Sequence, residues 1–395
     1  MSAVRIFADE CDSPDYNPLE QALHAWEIRR SGPKESHRIG LDLIDHALEI
    51  DDQLVTAWAY LTCGAHELAN SELQLAATES FECAAKLFKR MGEKRGESLS
   101  QIALARLYMT NGQFHPALEL YKSIIEREAH GLTPLEKFEA FNSIGGCFWG
   151  LDKLELCLLY LSKAFEVLRN TNFVTERATV LGNIGSALLS VGNYDTAYDF
   201  LVAAAKYSRS ADNRMGAFNI QASLVACLNE MKDHTKALPI ATRLVKDFED
   251  LLFVGPYNVA LCNVAIAFAN AKQWQLSEYC LAEAQKIAQN GQVAHSLAAV
   301  ALAEAQVAEA RGNFAVAIAH AESLLDNSSS VTNDIRSQAL SVLVNGYQKI
   351  GNHEAAVRAK KKKLELSDLR YQSGLAAAMV VLELGSSLKN LQPMN

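Results

Sequence analysis

The sequence predicts an all-α solenoid of stacked antiparallel helix pairs. Three observations carry that prediction: a 40-residue internal period, apolar residues at helical spacing, and sparse helix-breaking punctuation. The chain has 395 residues with only 8 prolines and 21 glycines, which favours long helices over many short strands. Hydrophobic residues make up 49% and charged residues 21%, enough apolar material to build a core.

The period is read from a column of small residues at the start of the second helix of each candidate pair. They are Ala117, Cys157, Ala197, Ala237, Ser277, Ala317 and Ala356, separated by five intervals of 40 residues and one of 39. Three residues before each stands a second column: Phe114, Leu154, Tyr194, His234, Trp274, Phe314 and His353. The histidines in that column read as packing residues. Five residues before the small residue comes a turn position, glycine in four units: Gly112, Gly192, Gly312 and Gly351. Glycine supplies the left-handed conformation that ends a helix and reverses the chain. Twelve residues before it lies another compact residue: Ala105, Gly145, Gly185, Val225, Ala265, Ala305 or Val344. Small side chains at both places let the paired helices approach closely.

Leu181, Ile184, Gly185 and Leu188 fall at i, i+3, i+4 and i+7, one face of a helix, and Tyr194, Ala197, Leu201 and Ala204 continue the stripe on the next. Between units, Thr133, Pro134 and Glu136 predict a helix start in which threonine caps, proline takes the first position and glutamate completes a capping box. One pair cannot bury both faces, so the pairs must stack.

These columns resemble the tetratricopeptide repeat. The pattern stands out at Phe141, Ile144, Gly145, Phe148, Cys157, Leu161 and Ala164, and again at Leu181, Ile184, Gly185, Leu188, Ala197, Leu201 and Ala204. The repeat family implies a right-handed superhelix. Its standard unit is about 34 residues, and the longer unit here resembles the arrays of kinesin light chains, bacterial quorum-peptide receptors and the sensor halves of bacterial signalling proteins. The expected organisation is an N-terminal tail (1–17), two degenerate pairs (18–97), seven units (98–365) and an apolar capping or dimerisation helix with its tail (366–395). A homodimer would form through residues 364–391.

A net charge of −9 and a pI near 5.6 argue against a nucleic-acid partner. Cys11, Cys63, Cys83, Cys147, Cys157, Cys227, Cys262 and Cys280 form no Cys-x-x-Cys pair and read as small buried hydrophobes in a reducing compartment. No secretory leader and no apolar run of membrane-spanning length is evident, so a cytoplasmic protein without a membrane partner is expected. No phosphate loop, nucleophile elbow or zinc-protease motif occurs, and the acidic residues read as scattered over exposed faces. No catalytic residue, metal ligand or cofactor is assigned, and a non-enzyme is expected.

The resemblance implies that the first helix of each pair lines the concave surface. The candidate partner-binding residues are then Arg106, Asn142, Gly146, Trp149, Asn183, Ser186, Asn219, Asn229, Asn263, Gln306, Asn345 and Gln348. In the long-unit arrays, asparagines on that helix hydrogen-bond the backbone of an extended peptide. An amide side chain offers both a donor and an acceptor, which matches a peptide unit. The competing assignment is that these residues bridge neighbouring helices of the stack. The implied function is a non-catalytic module holding a protein or peptide in bacterial-type signalling. The alternative is the sensor half of a system associated with a diguanylate cyclase or histidine kinase, acting through its C-terminal helix.

Overall fold

A computed structural model describes residues 17–29, 32–68, 73–126, 132–209, 214–251, 258–291, 294–326 and 331–366. The N-terminal tail to residue 16 and the C-terminal segment from 367 lie outside these, and with them the dimerisation helix expected from the sequence. Among the described residues there are eighteen helices and no strand.

The chain divides into two compact units, 1–151 and 152–395. Unit 1 contains α1 (Pro18–Ile28), α2 (Pro33–Glu49), α3 (Gln53–Glu67), α4 (Gln74–Met91), α5 (Lys94–Thr110), α6 (Phe114–Glu126) and α7 (Pro134–Gly150). Unit 2 contains α8 (Leu154–Leu168), α9 (Val174–Ser190), α10 (Tyr194–Ser208), α11 (Arg214–Glu230), α12 (His234–Leu251), α13 (Asn258–Asn270), α14 (Trp274–Gly291), α15 (Ala294–Ala310), α16 (Phe314–Asp326), α17 (Asn333–Lys349) and α18 (353–366).

Local chemistry starts these helices. Asn17 accepts hydrogen bonds from the Leu19 and Glu20 amides ahead of Pro18, and Asp52 accepts from Leu54 and Val55, each at 3.0 Å. At α7 the expected capping box is present. Thr133 Oγ1 accepts from the Glu136 amide, and the Thr133 amide donates to Glu136 Oε2 at 2.8 Å.

The turns inside the pairs share one geometry whatever residue occupies them. The left-handed position is Gly112, Gly192, Gly312 and Gly351, as the sequence predicts, and also Asp152, Lys232 and Lys272, each with φ near 59°. At Gly192 (φ 81°) the glycine amide donates to Leu189 O and the Asn193 amide to Leu188 O, both at 3.0 Å. Lys232 and Asp233 repeat those two bonds with Asn229 and Leu228. The turn closes two otherwise orphaned helix carbonyls, and this outweighs the steric cost of placing lysine there.

Both small-residue columns are buried, apart from Val344, which is half-buried. Ala117, Cys157, Ala197, Ala237, Ser277 and Ala317 are inaccessible, as are Ala105, Val225, Ala265 and Ala305. Where the column holds a serine, its hydroxyl needs a partner, and Ser277 Oγ donates to the Ala265 carbonyl at 2.9 Å. Gly185 shows how close the helices come: a Cβ there would lie 2.6 Å from Leu201 Cγ. In the second column, His234 is half-buried, whereas His353 is exposed at the start of α18, where the helix reaches solvent.

Within each unit the first helices of successive pairs pack on one another, while the second helices scarcely meet. The first helices (α1, α3, α5 and α7 in unit 1; α9, α11, α13, α15 and α17 in unit 2) therefore make the inner layer of their unit.

Candidate functional site

The candidate residues lie on the inner-layer helices, Arg106, Asn142, Gly146 and Trp149 in unit 1 and the rest in unit 2. The sequence placed them by column, and helical periodicity sets their spacing.

In unit 2 several of them connect neighbouring helices. Ser186 Oγ on α9 donates to Ser223 Oγ on α11 at 3.0 Å, and Asn229 Nδ2 on α11 donates to the Asn263 carbonyl on α13 at 3.0 Å. Gln306 Nε2 on α15 donates to Gln338 Oε1 on α17 at 3.4 Å, and Asn345 Nδ2 donates to Glu309 Oε1 at 2.5 Å. Asn258, 1% exposed, continues the series by donating to the Ser296 carbonyl at 3.1 Å. These amides hold the inner layer in register. Asn142 and Asn183 have interactions of their own. Asn219 and Gln348 are exposed and Asn263 half-buried.

The linkage leaves acceptors over. Asn229 Oδ1 and Gln306 Oε1 are buried and have no hydrogen-bond partner among the described residues. Two carboxyls join them, Glu230 one residue beyond Asn229 and Glu309 one turn beyond Gln306. The Glu230 pKa is raised, first by burial and then by the carboxylate of Asp334, although Tyr194 donates to its Oε2 at 3.3 Å. Burial likewise raises Glu309, against the hydrogen bond from Asn345. On α11 and α15 the inner layer of unit 2 thus leaves acceptors unmet, while on α9 the Arg177 Nε donor is left over.

Unit 1 has the opposite character. The Arg29 guanidinium, following α1, lies 3.7 Å from the centre of the Trp26 ring and pairs with Glu139 of α7 at 3.2 Å. Arg95 of α5 pairs with Glu136 of α7 at 2.8 Å and lies 5.6 Å from the Trp58 ring centre. Glu136 and Glu139 are buried, which corrects the expectation that the acidic residues sit on exposed faces. Periodicity could not reveal this, because each pairs with an arginine from another helix pair. Arg106 of α5 is exposed and makes no ion pair among the described residues.

Cys63, Cys147, Cys157, Cys227, Cys262 and Cys280 are buried free thiols, while Cys83 is exposed. Burial pushes the Cys157 thiol up to about 12, so it behaves as an inert hydrophobe. Among the described residues no group of three or more His, Cys, Asp or Glu side chains could hold a metal ion, and no helix is long and apolar enough to cross a membrane.

No protein-family model and no curated protein matches the sequence. Solved structures do. A Rap protein complexed with competence and sporulation factor superposes with a TM-score of 0.66 at 13% identity, covering 90% of this chain and 99% of the other. The apo form of RapI gives 0.57 at 12% identity over 93% and 98% of the two chains. Aspartyl phosphate phosphatase F from Bacillus subtilis gives 0.54 at 13% identity over 90% and 94%. At such identities the likeness is one of fold, and together with the repeat columns it makes this chain a tetratricopeptide-type helical repeat protein.

Proposed function

We propose that the inner layer of unit 2 is a groove for an extended peptide segment, and that the protein acts by holding this segment rather than by catalysing a reaction. The observation that carries the reading is the surplus of acceptors on α11 and α15. Asn229 Oδ1 and Gln306 Oε1 are buried without donors. An extended peptide presents main-chain N–H groups every few ångströms along its length and would supply them. Asn219 and Asn263 stand on the same layer, their side chains making no hydrogen bond among the described residues, so their amides are available to read main chain without reading sequence.

One neighbour in fold is a Rap protein solved with competence and sporulation factor. That complex supports the reading of a bound ligand held by this fold, and the role we propose for this chain is in regulatory signalling of a bacterial kind. The Arg106, Asn142 and Trp149 candidates belong to unit 1 and are not needed for this groove.

The test is selection of binders from a random heptapeptide display library on the full chain, followed by affinity measurement on the Asn219→Ala/Asn263→Ala variant. The groove reading expects recovered peptides to lose about tenfold or more in affinity, the equivalent of one or two hydrogen bonds, with the melting temperature unchanged. Equal affinity for both proteins would remove the asparagines from the site.

A further inference from the structure

In unit 1 two imidazoles meet face to face, and the peptide groove makes no use of them. His37 of α2 and His66 of α3 stack with ring centres 4.1 Å apart and planes 17° from parallel. They join the first helix pair, α1 and α2, to the pair that begins with α3. One turn further along the same interface Gly40 lies against Cys63, where a Cβ on the glycine would stand 2.8 Å from Cys63 Sγ. On its other side α2 is tied to α1, since Ser36 Oγ donates to the Ala25 carbonyl at 2.7 Å. Close contact one turn away leaves the stack little room to widen while α2 stays on α3.

The stack has no counter-charge. Neither ring forms an ion pair or a side-chain hydrogen bond among the described residues, and His37 Nδ1 is buried without a partner. The charged groups of the helices packed around it are engaged elsewhere or exposed. On α2, Glu35 and Asp42 pair with Arg38, and on α3, Glu67 accepts from Ser80 of α4 at 3.0 Å. On α4, Glu82 pairs with Lys86, while Arg29 beyond α1 and Arg95 of α5 pair with Glu139 and Glu136 of α7. His24 and Glu27 of α1, Lys34 of α2, Glu79 of α4 and Arg106 of α5 are exposed. The Cys63 thiol, pushed up to about 12 by burial, brings no charge.

Neutral rings suit this setting. A neutral imidazole can leave Nδ1 as a bare lone pair, whereas the protonated ring carries an N–H there that finds no acceptor. Two protonated rings would also hold like charges at the stacking distance in a half-buried contact, where solvent screens them poorly. The His37 pKa lies below its ordinary value of 6.5, through burial first and His66 second, in agreement with the geometry. We propose that the His37–His66 stack is a pH-sensitive latch between the first two helix pairs, closed while at least one ring is neutral and released when both are protonated. A histidine held below its ordinary value in the folded state contributes stability that is present above pH 6.5 and is lost as pH falls through the lower folded value. Acidification therefore loosens α1 and α2 from α3 before Glu136, held below 4.5, titrates. The latch does not depend on the peptide groove of unit 2.

The test takes the full chain from about pH 8 to about pH 5, the range in which histidine titrates, and compares wild type with His66→Phe and His37→Gln. His66→Phe keeps a ring in the stack and removes its charge. Trp26 of α1 and Trp58 of α3, 5% and 3% exposed, have ring centres 6.3 Å apart, so their emission reports on the separation of the first pair from the second. Wild type should show a reversible red shift of tryptophan emission and a falling melting temperature as pH drops through this range. Both variants should lose the red shift and hold their melting temperature. Nuclear magnetic resonance of isotope-labelled histidine adds a readout that packing alone would not move: in His66→Phe the His37 ring should titrate closer to 6.5 than in wild type. No red shift in wild type, the same acid response in wild type and both variants, or an unchanged His37 titration in His66→Phe overturns the latch.

Discussion

Asn229 donates its side-chain amide to the main-chain carbonyl of Asn263, 3.0 Å away on the next inner-layer helix, and its own side-chain oxygen remains buried without a donor. One residue therefore serves the stack with its nitrogen, while its oxygen is an unmet acceptor. Asn229→Ala should destabilise unit 2 by about 1 to 2 kcal/mol, because the Asn263 carbonyl loses its donor. Asn263→Ala keeps that carbonyl and should cost less than about 0.5 kcal/mol. Urea unfolding of the two variants checks the difference, and equal losses would show that the bridge does not hold the helices.

The left-handed turn positions give a stabilising prediction. Lys232 and Lys272 adopt φ of 59°, which costs a residue with a Cβ about 1 to 2 kcal/mol. Lys232→Gly and Lys272→Gly should each raise stability by roughly 0.5 to 1 kcal/mol, the gain being offset in part by glycine's greater freedom in the unfolded chain. Gly192→Ala, at φ 81°, should lower it by a similar amount. Thermal melts of the three variants against wild type decide this.

At Gly185 the prediction concerns space rather than backbone freedom. Its absent Cβ leaves room for Leu201, which would otherwise be met at 2.6 Å. Gly185→Ala should cost about 1 to 3 kcal/mol through overpacking, and Gly185→Ala with Leu201→Ala should recover less than the full loss, since the smaller leucine replacement opens a cavity.

The carboxyls of the two units should respond to pH with opposite signs. Burial would raise the Glu136 pKa, but hydrogen bonds from Arg95 and Thr133 outweigh it and hold the group below its ordinary value of 4.5. Its stabilising contribution is present above that value and is lost as pH falls through the lower folded-state pKa. Glu230 is raised above 4.5, by burial and then by Asp334. Its contribution is present below 4.5 and is lost as pH rises through the folded-state pKa, so at pH 7 the ionised form is a liability. Glu136→Gln should therefore destabilise at pH 7 and flatten the acid limb of the stability curve. Glu230→Gln should raise the melting temperature at pH 7 and make no difference near pH 4. The reverse pattern would contradict these assignments.

The columns in the sequence located the helix pairs, the buried small residues and the Thr133–Glu136 capping box, because each is a local or strictly periodic signal. Three of the left-handed turns were hidden by Asp152, Lys232 and Lys272, where hydrogen bonds to the preceding helix, rather than glycine, set the conformation. The Arg29–Glu139 and Arg95–Glu136 pairs were not legible at all. Their partners are 110 and 41 residues apart, and helical periodicity fixes the face a residue occupies, not the partner it finds across the stack. The bridging by Ser186, Gln306 and Asn345 likewise depends on how far one inner helix lies from the next.

The central claim, that a peptide lies on the inner layer of unit 2, is tested most directly by hydrogen–deuterium exchange of the full chain with and without a peptide recovered by display selection. The groove predicts added protection concentrated in α11 and α13, residues 214–230 and 258–270, with little change in α12 and α14. Protection confined to the second helices, residues 234–251 and 274–291, would contradict it.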